Sequence, residues 1–189
     1  MKITKISLGL LTAASLCAGA PARAEEQIEK LDRNNIQKFL DETRIISTDP
    51  NTPFTTEDII AYFTRHITED GIFMDDMTMA VPGMPEQKKK LSYTRNQYIE
   101  QIIQGRGLMQ DYKTNIDVKE IKIAFNKKTA TLETVTNESG TMMWPDQDGT
   151  PRPLKVKGTS ECVQSLAVSD QGYIAMQWAH CITTTSFSK

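Results

Sequence analysis

The sequence predicts an α+β fold, with three N-terminal helices packed on a curved, mainly antiparallel sheet. Three observations predict it. Apolar residues recur near a 3.6-residue period in three segments before residue 105. From residue 112 onward, runs rich in threonine, valine and isoleucine alternate with short polar turns. The helical runs come first and the strand runs follow, the order of an α+β rather than an α/β chain.

Composition narrows the class further. The chain has 189 residues, 39% hydrophobic and 24% charged, enough for one domain and ordinary for a globular one. Disordered, collagen-like and coiled-coil classes are excluded. A net charge of -2 gives no electrostatic footprint for nucleic acid. Two histidines and three cysteines argue against a zinc site. No cofactor and no metal is expected.

Residues 1–24 read as a signal peptide, and residues 25–189 as one domain. Lys2 and Lys5 form a basic start, Ile6 to Ala20 an apolar run, and Ala22-Arg23-Ala24 a small-x-small cleavage site. The run is short for a membrane span, so no stable insertion is expected. Cleavage leaves 19 basic against 24 acidic side chains, a net charge of -5. Such a domain should not adhere to anionic lipid or nucleic acid. The expected location is the periplasm or the exterior. Cys17 leaves with the signal, and Cys162 and Cys181 remain. In an oxidising compartment an even pair suggests a disulfide, two buried free thiols being the other reading.

The elements follow in order. Glu25 to Ser47 carries Ile28, Leu31, Phe39 and Leu40 at helical spacing. Asp49-Pro50-Asn51-Thr52-Pro53 breaks it. Thr55 reads as an N-cap with Asp58 in the capping-box position. Ile59, Ile60, Phe63 and Ile67 make the second apolar stripe, with Asp70-Gly71 as its end. Ile72 to Asp75 reads as a short strand and Met77 to Leu91 as a loop. Lys88-Lys89-Lys90 reads as a solvated loop tip. Thr94, with Gln97 in the box position, starts a third helix that Gly105 stops. Four antiparallel strands are then expected: Tyr112–Phe125, a strand from Thr129 to Thr136, Lys157–Val168 and Tyr173–Phe187. A polar loop from Trp144 to about Arg152 precedes the third.

The last hairpin sets the candidate site. With Gln171-Gly172 as a two-residue turn, Asp170 pairs with Tyr173 and Cys162 falls opposite Cys181, within reach of a bridge. A three-residue turn with a glycine bulge shifts the register by one, and a further bulge or another pairing would then be needed. In the first register strict alternation puts Ile174, Met176, Trp178, His180 and Ile182 on one face, with Glu161, Val163, Ser165 and Ala167 from the partner strand. That face is the more apolar and is expected against the helices. Trp178, Met176 and Glu161 would line a ligand pocket there, and the cysteines would point away.

His180 is the sharpest catalytic candidate, because its imidazole titrates near neutral pH. Its alternative is a structural, hydrogen-bonded histidine. His66, ending a helix, is expected to meet the C-terminal dipole. Asp75 and Asp76 follow the short strand, where the residues alone read as loop carboxylates beginning a turn.

The order of elements resembles the nuclear-transport-factor-2-like (NTF2-like) superfamily, also called the cystatin-like cone. Residues 55 to 104 carry the resemblance. Thr55 to Phe63 is similar to the second helix, His66 to Asp75 to the helix-to-strand passage, and Thr94 to Ile99 to the third helix. The resemblance points to the polyketide-cyclase and ketosteroid-isomerase type of branch, in which an acidic residue near the short strand can be the general base, and it makes Asp75, with Asp76 beside it, a candidate for that role. It also implies homodimers formed through the sheet. The long first helix and the inserts at Met77–Leu91 and Trp144–Val156 depart from a minimal cone. Fold does not fix function. The expectation is an exported, non-enzymatic binding or assembly module with an apolar pocket for a small apolar ligand, or one that docks another exported protein. The alternative is a lyase or isomerase using His180 with an acidic partner.

Overall fold

A computed structural model describes residues 27–49, 53–145 and 150–188. The leader expected at residues 1–24 lies outside the described residues, as do parts of the breaker before Pro53 and of the loop after Trp144. Three helices, α1 (Arg33–Thr48), α2 (Thr56–His66) and α3 (Arg95–Gly105), lie against one six-stranded sheet. Its strands are β1 (Ile67–Ala80), β2 (Gln87–Thr94), β3 (Met109–Ile123), β4 (Thr129–Pro145), β5 (Pro151–Val168) and β6 (Ile174–Ser188). They run in the order β2-β1-β6-β5-β4-β3, antiparallel throughout except that β1 and β6 are parallel. The α+β class holds, with the sheet mixed and two strands larger than the meander alone.

Local chemistry explains the boundaries. α1 starts at Arg33, not Glu25, because Asp32 caps it: its carboxylate accepts from the Asn35 amide, and Asn35 Oδ1 accepts from the Asp32 amide. Upstream, residues 27–31 are not helical and bend at Glu29 and Lys30. The Ile28 and Leu31 amides donate to the carbonyls of Gly172 and Lys127, tying this segment to two hairpin turns. The Thr55–Asp58 capping box forms as expected. So does the Thr94–Gln97 contact at the start of α3, with Gln97 accepting from the Thr94 amide.

Asp70-Gly71 does not end α2. The helix stops at His66, and β1 takes over with an irregularity between Ile67 and Ile72. Gly71 sits inside it. A Cβ there would lie 2.8 Å from Ile67 Cγ2 and 3.0 Å from the Thr68 carbonyl, so only glycine permits this close approach. The expected loop Met77–Leu91 is also corrected. It is the end of β1, a short turn at residues 81–86 and β2, an antiparallel hairpin pairing Ile72–Met79 with Gln87–Thr94. Lys88, Lys89 and Lys90 lie on β2, a sheet edge, where lysines discourage pairing with another chain.

The core lies between helices and sheet. Leu31, Ile36, Phe39, Phe63, Leu132 and Leu166 are nearly or wholly excluded from solvent. His66 seals its rim. The ring is buried beside Phe39 and Tyr62, and Nδ1 donates to the Ile174 carbonyl at 2.6 Å. A carbonyl can only accept, so Nδ1 carries the proton. The residue expected to serve the helix dipole pins α2 to β6.

Candidate functional site

The last hairpin takes both of the registers weighed from sequence, one after the other. At the turn, Ser169 and Tyr173 pair around a three-residue loop, with Gly172 at φ +79. Val168 faces Ile174 and Leu166 faces Met176. Then β6 inserts one extra residue, Gln177, whose Oε1 accepts from the Ser165 hydroxyl at 3.0 Å. Beyond this bulge Ser165 faces Trp178, and Cys162 faces Cys181. The two cysteines form a disulfide, with Cα atoms 4.1 Å apart.

The bulge overturns the expected faces. Alternation stays in phase along β5 but slips by one along β6. Ile174 and Met176 face the helices, and so do Ala179, Cys181 and Thr183. Trp178, His180 and Ile182 stand on the outer face, with Glu161 and Val163 beside them from β5. Trp178 is 38% exposed and Ile182 58%. His180 Nε2 lies 3.4 Å from Asp76 Oδ2, and Asp76 also meets Lys90 Nζ at 3.5 Å. The placement of His180, Trp178 and Glu161 in a helix-covered pocket is therefore corrected. Of the expected site residues, Met176 and Asp75 lie at the inner cavity. The cysteines, expected to point away, lie there too.

That cavity measures about 290 Å³. Phe39 and Leu40 from α1, Tyr98 from α3, Phe73 from β1, and Met176 and Ala179 from β6 form its apolar side. The Phe73 and Tyr98 rings stack with centroids 4.0 Å apart. The sheet side is polar. Thr134 and Thr136 of β4, Ser160 and Gln164 of β5, and Thr183 of β6 face in. Gln164 donates to Thr134 Oγ1 at 3.0 Å, and the Ser160 and Thr183 hydroxyls meet at 2.9 Å. Thr134 and Thr136, from the strand expected at Thr129 to Thr136, thus line a cavity. That strand's alternation was visible in the sequence; which face it served was not.

Asp75 enters on β1, paired with Leu91 on one side and Cys181 on the other. Its Oδ1 is buried and has no hydrogen-bond partner among the described residues. Burial raises its pKa above the ordinary 3.8, and the neighbouring charge of Asp76 adds to this. A hydrogen bond from Thr183 and the charge of His180 oppose the rise. Burial likewise raises the Tyr98 hydroxyl, with Asp75 and Glu138 pushing the same way. Tyr98 therefore stays a neutral donor beside a carboxyl that gains from protonation.

A stability test follows. An acid with a raised folded-state pKa binds its proton more tightly folded than unfolded, so stability falls as pH rises above about 3.8. Relative to wild type, Asp75→Asn should gain stability with rising pH until the folded carboxyl is fully ionised, and the advantage should disappear in acid. Urea midpoints across that range check this. A pH-independent difference would mean that Asp75 ionises normally.

No protein-family model and no curated protein matches the sequence. Solved structures do. An NTF-2 like protein of unknown function from Pseudomonas aeruginosa aligns with a TM-score of 0.50 at 12% identity, over 79% of this chain and 98% of that one. This chain has the NTF2-like fold. A protein with a cystatin-like fold from Caulobacter vibrioides aligns at a TM-score of 0.46 and 13% identity, over 79% and 87%. ActVI-ORFA from Streptomyces coelicolor aligns at 0.43 and 13%, over 78% and 93%. Among the described residues the helices cover one side of the sheet, and none of them covers the other. No described helix is long and apolar enough to cross a membrane.

Proposed function

We propose that this chain is an exported binding protein that holds a small amphipathic molecule in the cone cavity, with Asp75 as the polar anchor. The observation that carries the reading is the buried Asp75 oxygen without a partner in a cavity of ligand size. A buried polar atom left unpaired costs about 1–3 kcal/mol, which a ligand donor would recover. The apolar side suits a flat or branched hydrocarbon body, and the hydroxyl-lined wall suits a polar edge. Export is supported by the leader pattern and by a disulfide pair that suits an oxidising compartment. Native mass spectrometry of protein purified from its own periplasm tests the reading. A retained small molecule, lost in Asp75→Asn, is expected. A wild-type protein that carries nothing, and whose thermal stability no extract fraction raises, would overturn it.

The lyase or isomerase reading survives in changed form. His180 and Glu161 lie across the sheet from the cavity, so the expected histidine–carboxylate pair is replaced by Asp75 with Tyr98. Both face one space, and the charge of Asp75 adds to the burial that holds the Tyr98 hydroxyl neutral. If the recovered ligand exchanges a carbon-bound proton for deuterium in heavy water with wild type but not with Asp75→Asn, Asp75 is an acid–base catalyst. Binding without exchange leaves the protein a carrier.

The outer face supports the homodimer. Ile72, Met74, Val163, Trp178 and Ile182 form an exposed apolar patch, and Asp76, Glu161, Lys90 and His180 carry both charge signs across it. Such a patch can be its own complement about a two-fold axis, which favours a second copy over a strongly charged partner. Light scattering should give twice the mature mass, and Trp178→Lys with Ile182→Lys should return it to one. A monomeric wild type at micromolar concentration would refute the dimer.

A further inference from the structure

The disulfide lies in an unexpected place. Cys162 and Cys181 are half-buried on the wall of an open cavity, not sealed in the core. They join two strands already laddered from Lys155↔Ser188 to Val168↔Ile174, so the hairpin does not depend on them for its pairing. On the same face, in the next strand, Cys181 has Asp75 as its register partner. Asp75 brings a carboxyl oxygen that nothing else in the described chain occupies.

We propose that the cavity is a thiol–disulfide exchange site for low-molecular-weight thiols, in which Cys162 Sγ is attacked and Asp75 protonates the departing Cys181 sulfur. A thiolate RS⁻ enters and forms a bond to Cys162 Sγ. The Sγ–Sγ bond breaks, and its electron pair goes to Cys181 Sγ. The Asp75 carboxyl gives that sulfur its proton and regains one from water. A second thiolate attacks the thiol-derived sulfur of the mixed disulfide, releasing RSSR and the Cys162 thiolate, which takes a proton from water. Two thiols are oxidised and the protein disulfide is reduced by two electrons. The geometry sets the direction of attack. Asp75 adjoins Cys181, so the charge that leaves can be quenched there, whereas a thiolate left on Cys162 has no acid in its neighbouring β4 partner, Thr134. Burial, by keeping Asp75 protonated further up the pH scale, favours its role as donor.

The inference stands apart from ligand binding, because exchange can fail while a ligand is retained. Oxidised mature protein is incubated with glutathione under native conditions, quenched in acid, alkylated and mapped by mass. A glutathione adduct on Cys162 and an alkylated Cys181 are expected. The rate per thiolate should decline as pH rises through the titration of Asp75. In Asp75→Asn it should be flat, and at the acid end slower by about tenfold or more. The proposal is overturned by no adduct in folded protein, by an adduct on Cys181 instead, or by an Asp75→Asn profile matching wild type. A rate that climbs steeply in low urea would also defeat it, since reduction would then require unfolding.

Discussion

Phe63→Ala should destabilise the protein by about 3–5 kcal/mol, the range for truncating a fully enclosed aromatic ring. Phe63 is 1% exposed. It sits on α2 with its ring edge-on to Tyr62, 5.2 Å between centroids, at the centre of the cluster that joins helices to sheet. The loss combines the ring's transfer free energy with the void left in a close-packed cluster of buried residues drawn from helices and sheet. Urea denaturation of the purified variant measures it. A cost below about 1 kcal/mol would mean that α2 packs loosely and can collapse into the space.

The second large effect is loss of the disulfide. Cys162 and Cys181 are 19 residues apart. Closing a loop of about that length in the unfolded chain accounts for about 3 kcal/mol on chain-entropy reasoning. For a chain of this size that corresponds to a melting temperature lower by roughly 6–12 °C. Cys162→Ala/Cys181→Ala, compared with the oxidised protein by calorimetry, tests it. An unchanged melting temperature would show that the unfolded hairpin is already constrained. Reduced wild type should fall near the double variant, which separates the cross-link from the packing of the sulfurs.

Much of the fold was legible because its signals are local. Thr55 with Asp58 and Thr94 with Gln97 are three residues apart, and each box depends on nothing distant. The cysteine pairing was legible too, since only one register brings Cys162 and Cys181 together. What escaped depends on partners. The β1–β2 hairpin looked like a loop because an edge strand tolerates lysines at 88–90 that a central strand would not. The start of α1 escapes because Ile28 and Leu31 have helical spacing, yet Leu31 is buried from an irregular segment that two turns hold in place. Asp75 was singled out by position, but the missing partner of its oxygen is a three-dimensional fact. The inner face was lost to one residue. Gln177 carries no mark of a bulge, and every side chain beyond it was assigned to the wrong side of β6 relative to Met176.

That bulge can be described as a half-period phase slip in a standing wave. Along β6 the in–out alternation has a wavelength of two residues, and Gln177 advances it by one. Two side-chain sets are therefore encoded in the same segment: one with Ala179, Cys181 and Thr183 inward, the other with Trp178, His180 and Ile182 inward. Starting from the three-residue turn, the Cys162–Cys181 bond can close only after the slip, so it acts as a permanent record of which wave was chosen. The composition of the cavity wall is thus written twice in the sequence, and the cross-link is the punctuation that says which copy is read.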